Sequence, residues 1–160
     1  MKRSNKNEAL FSSKNMNWCT PQEFFNELNA EFHFALDAAS TEKSAKCPKY
    51  YTPKEDGLKQ PWTVDDGGSV FCNPPYGKQI GEWVRKAYEE AKRGITIVLL
   101  IPSRTDTAYF HNYIYGKAEL RFIRGRLKFT DEDGNTKKSA PFPSMIVIYN
   151  GKANNVFIKN

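Results

Sequence analysis

The chain has 160 residues and a mass of 18.4 kDa, enough for one domain around one core and too little for a separate recognition domain. Its 24 Lys and Arg against 18 acidic residues give a formal charge of +6 and a pI near 9.2, a balance that suits a polyanionic partner or a solvated basic surface. Cys19, Cys47 and Cys72 form no C-x-x-C pair, which excludes a zinc site and points to reduced thiols, and the longest apolar run, Ile95 to Ile101, falls far short of the ~20 residues a bilayer needs. Neither a signal peptide nor a membrane span is expected.

In chain order, the polar start from Lys2 to Lys14 reads as a flexible basic tail over residues 1–15, ahead of a folded domain over 16–160. Trp18-Cys19-Thr20-Pro21 opens the folded part, where Thr20 with Glu23 has the spacing of a capping box and Pro21 suits the first helical position. A helix is predicted from Pro21 to about Ala30, with Phe24, Phe25 and Leu28 on one apolar face. Phe34 to Ala39 reads as a buried strand that ends in the carboxylate of Asp37, followed by the small Ala38 and Ala39. In a doubly wound sheet ligands lie outside the carboxyl ends of strands, so Asp37 is either a ligand-facing acid or an ordinary turn or helix-cap residue.

Ser40 to Lys49 is polar, carries Lys43, Lys46 and Lys49, and is predicted as a loop before a brief strand at Tyr50 and Tyr51. Asp56-Gly57-Leu58 has turn character, and Asp65-Asp66-Gly67-Gly68 is a clearer turn into the short buried strand Val70 to Cys72. Ile80, Trp83, Val84, Ala87, Tyr88 and Ala91 then recur at helical spacing up to Gly94. Ile95 to Ile101 has the length and composition of a central parallel strand covered on both faces. A helix over Thr107 to Tyr113, strands at Ala118 to Ile123, Leu127 to Phe129 and Ser144 to Tyr149, and an edge strand at Val156 to Ile158 complete the prediction. Their crowding implies a C-terminal antiparallel hairpin element on an otherwise mostly parallel sheet.

The chemistry concentrates at Asn73-Pro74-Pro75-Tyr76. The residue before a proline is pushed into extended geometry, and each proline locks φ and donates no N–H. The Asn73 side-chain carbonyl and the Pro74 backbone carbonyl are therefore predicted as two rigid acceptors at the end of a buried strand. Two acceptors suit an NH₂ group. Hydrogen bonds to both of its hydrogens favour a pyramidal nitrogen with a free lone pair, and they strengthen as positive charge develops. Tyr76 could stack on a planar base. The plain alternative is a tight surface turn before a helix.

The tetrapeptide resembles motif IV of S-adenosylmethionine-dependent amino-methyltransferases, and the chain from about Trp18 to Tyr149 resembles the phage-type DNA N6-adenine methyltransferases. Other shared segments are Leu36-Asp37-Ala38-Ala39, Asp56-Gly57-Leu58, Arg104-Thr105-Asp106-Thr107, Gly125-Arg126-Leu127 and Ala140-Pro141-Phe142. The resemblance implies a compact single-domain α/β methyltransferase, Rossmann-like, over 16–160. It implies S-adenosylmethionine as cofactor and double-stranded DNA as partner, with direct methyl transfer to N6 of a flipped-out adenine. Asn73, Pro74, Pro75 and Tyr76 would be the catalytic set. Trp18, Thr20 and Pro21, as motif X, would join Asp37, Ala38 and Asp56 around the cofactor, and Arg104 and Arg126 would contact DNA. No Gly-x-Gly follows Asp37, so no phosphate cradle is expected. The same NH₂ chemistry fits cytosine N4 or a protein glutamine amide, and a catalytically inactive DNA-binding relative is the alternative of another class. By resemblance, the setting is the bacterial host cytoplasm of a phage or prophage protein.

Overall fold

The computed structural model describes residues 18–151. The basic tail expected over 1–15 and the edge strand expected at Val156 to Ile158 lie outside the described residues. Within them, six strands form one mixed sheet: β1 (Phe34–Asp37), β2 (Lys49–Tyr50), β3 (Ser69–Cys72), β4 (Ile97–Pro102), β5 (Glu119–Phe122) and β6 (Ser144–Tyr149). Their order across the sheet is β2, β1, β3, β4, β6, β5. The first four are mutually parallel, whereas β6 runs antiparallel to both β4 and β5. Two α-helices, α1 (Gln22–Phe32) and α2 (Ile80–Ala91), accompany the sheet.

Every residue of β3, β4 and β6 is buried, which is why these segments read as unbroken apolar runs instead of alternating ones. Leu36, Val70, Phe71, Ile97, Leu99, Ile101 and Val147 make the centre of the core. α2 turns Trp83, Val84 and Ala87 inward, as its 3.6-residue spacing requires. Its last turn is held by Glu90, which receives Lys86 at 2.7 Å and Arg93 at 2.5 Å. Gly94 follows with φ +90°, a conformation in which a Cβ would be strained.

Four details differ from the sequence prediction. α1 begins at Gln22, and no side chain caps it, because the Thr20 hydroxyl is committed to Asn73 instead. The helix expected over Thr107 to Tyr113 is a π-helical turn, Phe110–Ile114, closed by Tyr115 N–H donating to the Phe110 carbonyl at 2.8 Å. The Tyr113 carbonyl accepts from the Tyr149 hydroxyl at 2.5 Å, and Lys117 N–H bonds Ile114, so the α ladder does not continue there. Leu127 to Phe129 forms no strand. It is tied back only by Lys137 N–H to Phe129 O and Ala140 N–H to Leu127 O, on either side of an acidic turn at Asp131 to Gly134. Finally, β4 is parallel to β3 alone, and β5 and β6 are antiparallel neighbours joined by a long connection instead of a tight hairpin.

Candidate active site

Parallel pairing of β1 with β3 puts Leu36 opposite Val70 and Asp37 opposite Phe71, so Asp37 and Asn73 leave the sheet at the same carboxyl edge. A cavity of about 300 Å³ opens there, at the lower end of the range for small-molecule sites. Its walls come from four places: Trp18 and Thr20 before α1, Asp37 with the loop after β1, Asp56 and Gly57, and Asn73 to Pro75.

Asp37 is almost wholly buried and accepts two backbone N–H groups, from Ala39 at 3.3 Å and Lys46 at 3.0 Å. Burial outweighs these two donors and lifts its pKa to about 7. The Lys46 ammonium is spent elsewhere, on Gln22 Oε1 at 3.0 Å, and no described cation forms a salt bridge to Asp37. A buried acid that no salt bridge neutralises is suited to a ligand that brings a cation.

Asp56 also lines the cavity, with a left-handed backbone, φ 59°, and its Oδ1 accepts the Leu58 N–H at 3.1 Å. It is thus both a turn residue and a wall of the cavity. Gly57 beside it is buried against the end of β1: a Cβ there would lie 2.1 Å from the Ala38 carbonyl oxygen and 3.0 Å from the Trp83 ring. The Trp62 indole donates to the Gly57 carbonyl at 2.8 Å and fastens this loop from behind.

The Asn73 amide has a defined direction. Its Nδ2 donates to the Trp18 carbonyl at 2.5 Å and to the Thr20 hydroxyl at 3.1 Å, while Oδ1 is buried without a partner. A backbone carbonyl can only accept, so the amide nitrogen must be the atom that faces it. Three further buried polar atoms without partners belong to residues of the same cavity: Trp18 Nε1, Ser40 Oγ and Trp83 Nε1. An unmade hydrogen bond on a buried group costs about 1–3 kcal/mol, so four around one cavity are the mark of a site that a polar ligand completes. The donor set fits a cofactor with an ammonium group, which Asp37 would hold, and a polar aromatic base, which the Trp83 and Asp56 side would hold.

Not every expected residue reaches this cavity. Pro21 and Ala38 do not line it; Ala38 is wholly buried, with its carbonyl packed on Gly57. Tyr76, expected to offer its ring to a base, is fully enclosed and donates its hydroxyl to the Leu100 carbonyl at 2.9 Å. Its ring stands edge-on to Phe142 at 5.5 Å and Phe129 at 6.1 Å, and Trp18 stands edge-on to the same two rings at 5.4 and 5.6 Å. Four aromatic rings therefore cover the end of β3. Arg104 lies just beyond β4, partly buried, and Arg126 is exposed after β5; neither lines the cavity. Conversely, Ser40, Tyr51 and Trp83 do line it and had no separate signal: Trp83 falls on the apolar stripe of α2, and Tyr51 enters only because its N–H bonds the Asp37 carbonyl at 3.0 Å.

A family model described as DNA N-6-adenine-methyltransferase (Dam) matches residues 8–158. A DNA N-6-adenine-methyltransferase of Escherichia phage T1 is 33% identical over 119 residues, 74% of this chain and 48% of that protein. A protein of Escherichia coli strain K12 that bears the name "Putative methyltransferase YfdM" is 36% identical over 63 residues, 37% of this chain and 69% of that protein. The matched part of this chain thus covers about half the length of the phage relative.

Proposed function

The chain belongs to the DNA N-6-adenine-methyltransferase (Dam) family, and from that premise we propose that it methylates the N6 amino group of adenine in double-stranded DNA, using S-adenosylmethionine. The observation that carries this reading is the Asn73 amide: held by its nitrogen, with its oxygen buried and unpartnered at the carboxyl end of β3. The relatives' names supply the substrate class, and the basic balance of the chain agrees with it. On this reading residues 16–160 are a Rossmann-like methyltransferase domain, residues 1–15 a basic tail, and the setting is a bacterial host's cytoplasm.

Asp37 would hold the ammonium group of the cofactor, and the walls at Trp18, Thr20, Asp56 and Trp83 would enclose the rest. S-adenosylmethionine supplies an activated methyl group on a good leaving group, so no covalent enzyme intermediate is required. Asn73 Oδ1 and the Pro74 carbonyl accept the two hydrogens of the target amino group and localise its lone pair, and Pro75 keeps that acceptor pair rigid. The methylated nitrogen would then lose its extra proton to solvent, without a strong base. Tyr76 stacks on the extruded base only after Phe142 and Phe129 move off its ring. Arg104 and Arg126 contact phosphates of the duplex.

The test is incubation with labelled S-adenosylmethionine and unmethylated DNA, followed by digestion to nucleosides. Label on N6-methyl-2′-deoxyadenosine is expected. Label on N4-methyl-2′-deoxycytidine, or label that stays with protein recovered from a parallel reaction and not with DNA, would reassign the substrate. Cofactor binding with no transfer to any acceptor would make the chain an inactive relative.

A further inference from the structure

We propose that Thr20 is a positioning residue that acts through Asn73: with the Trp18 carbonyl, its hydroxyl fixes the side-chain amide so that Oδ1 stays the acceptor presented to the reacting nitrogen. The inference rests on the reading of function above, but its geometric part stands on three observations of its own. Thr20 is 2% exposed, and its hydroxyl bonds Asn73 Nδ2 and does not cap α1, although its spacing to Glu23 would allow a cap. The Trp18 carbonyl takes the other amide hydrogen. Trp18 itself is held in place because its neighbour Cys19 exchanges both backbone hydrogen bonds with Thr130, at 3.1 and 3.0 Å.

A primary amide has two donors and one acceptor oxygen, and it can turn about its last side-chain bond. With both hydrogens engaged by acceptors 2.5 and 3.1 Å away, turning it over would set oxygen against oxygen at the Trp18 carbonyl. One bond alone would still permit a twist out of plane; the second removes that freedom. The Asn73 backbone is already constrained by Pro74, so Thr20 fixes what the proline leaves free. A hydroxyl spent in this way, with no bond to its own helix, has a role that lies in the orientation of another side chain.

The experiment compares Thr20→Val, which keeps the shape and loses the acceptor, with Thr20→Ser, which keeps it. Single-turnover methyl transfer is measured at saturating cofactor and DNA, with calorimetric affinity for S-adenosylmethionine in parallel. Thr20→Val should slow transfer about 10-fold with cofactor affinity within about 2-fold of the parent, and Thr20→Ser should restore the rate to within about 2-fold. In an Asn73→Ala background, Thr20→Val should have no further effect, because nothing is left to orient. Equal rates for Val and Ser, or a loss of cofactor affinity as large as the loss of rate, would overturn the proposal and leave Thr20 with no role beyond that of a wall of the cavity. The side-chain amide signals of Asn73, followed by NMR in the unliganded protein, decide the geometry without activity. They should shift and exchange faster with water in Thr20→Val and not in Thr20→Ser; unchanged signals in Thr20→Val would overturn it. A parent protein that methylates no DNA base would refute the reading of function while leaving this spectroscopic test intact.

Discussion

Asp37 and Asn73 flank the same end of two adjacent parallel strands, with Asp37 in register with Phe71, two residues before Asn73. An acid that forms no salt bridge and an amide oxygen without a donor are thereby set on one cavity, and the two should fail in different ways when removed.

Asn73→Ala should leave the affinity for S-adenosylmethionine close to that of the parent while lowering the transfer rate. The loss of one hydrogen bond specific to the transition state is worth ~2.7–4 kcal/mol, or about 10² to 10³ in rate. Calorimetry and single-turnover kinetics on one preparation check both halves, and full activity would remove Asn73 from the chemistry.

Asp37 makes pH a direct probe. Its folded pKa is raised from 3.8 to about 7, so between about pH 4 and 7 the folded protein keeps a proton that the unfolded chain has released. The stability of the free protein should therefore fall as pH rises through that window, by on the order of 4 kcal/mol from this group alone. An ammonium-bearing cofactor needs the ionised form, so its affinity should drop up to about tenfold per pH unit below about 7. Asp37→Asn should weaken binding and abolish both dependences, which denaturant titrations and calorimetry at several pH values would reveal.

Gly57→Ala should damage the cofactor wall without touching a polar group. Its new Cβ would stand 2.1 Å from the Ala38 backbone oxygen, which cannot turn aside as a flexible side chain could. A cost of about 3 kcal/mol follows, or a melting temperature lower by roughly 6–12 °C, with weaker cofactor binding. An unchanged melting curve would mean that the Asp56 loop has room to retreat.

Arg104→Ala and Arg126→Ala should each weaken DNA binding for all sequences and reduce the slope of log K against log salt by about one, with cofactor affinity unchanged. An arginine that reads a base would instead lose discrimination at one position, by roughly 1–3 kcal/mol. If neither substitution alters affinity or slope, the duplex approaches from another face. Lys43, Lys46 and Lys49 are the candidates there, although Lys43 lies 3.8 Å from Asp133 and Lys49 Nζ is held by the Thr63 carbonyl at 3.1 Å.

The features that were legible in the sequence are those with local causes. α2 shows its period, β3 and β4 show their apolar runs, and Asn73 is placed by the proline that follows it. What was hidden depends on partners remote in sequence. The enclosure of Tyr76 requires Phe129 and Phe142, more than fifty residues away, and no pattern around Tyr76 announces them. Thr20 satisfies a local capping rule yet bonds a residue 53 positions on, so a correct motif pointed to the wrong partner. Leu127 to Phe129 has the composition of a strand, but it lies outside the six-stranded sheet and bonds only the returning segment at Lys137 and Ala140.

The pairing of Cys19 with Thr130 has a kinetic consequence. It joins positions 111 residues apart, and closing so long a loop in an open chain costs about 4 kcal/mol of entropy. Two backbone hydrogen bonds do not repay that cost unaided, so the pairing must wait until the sheet has brought the two segments together. On the ribosome Trp18 emerges early, and its place on the wall exists only after Thr130 has been made. By this reasoning a partly refolded chain can possess its sheet while the Asn73 amide still turns freely.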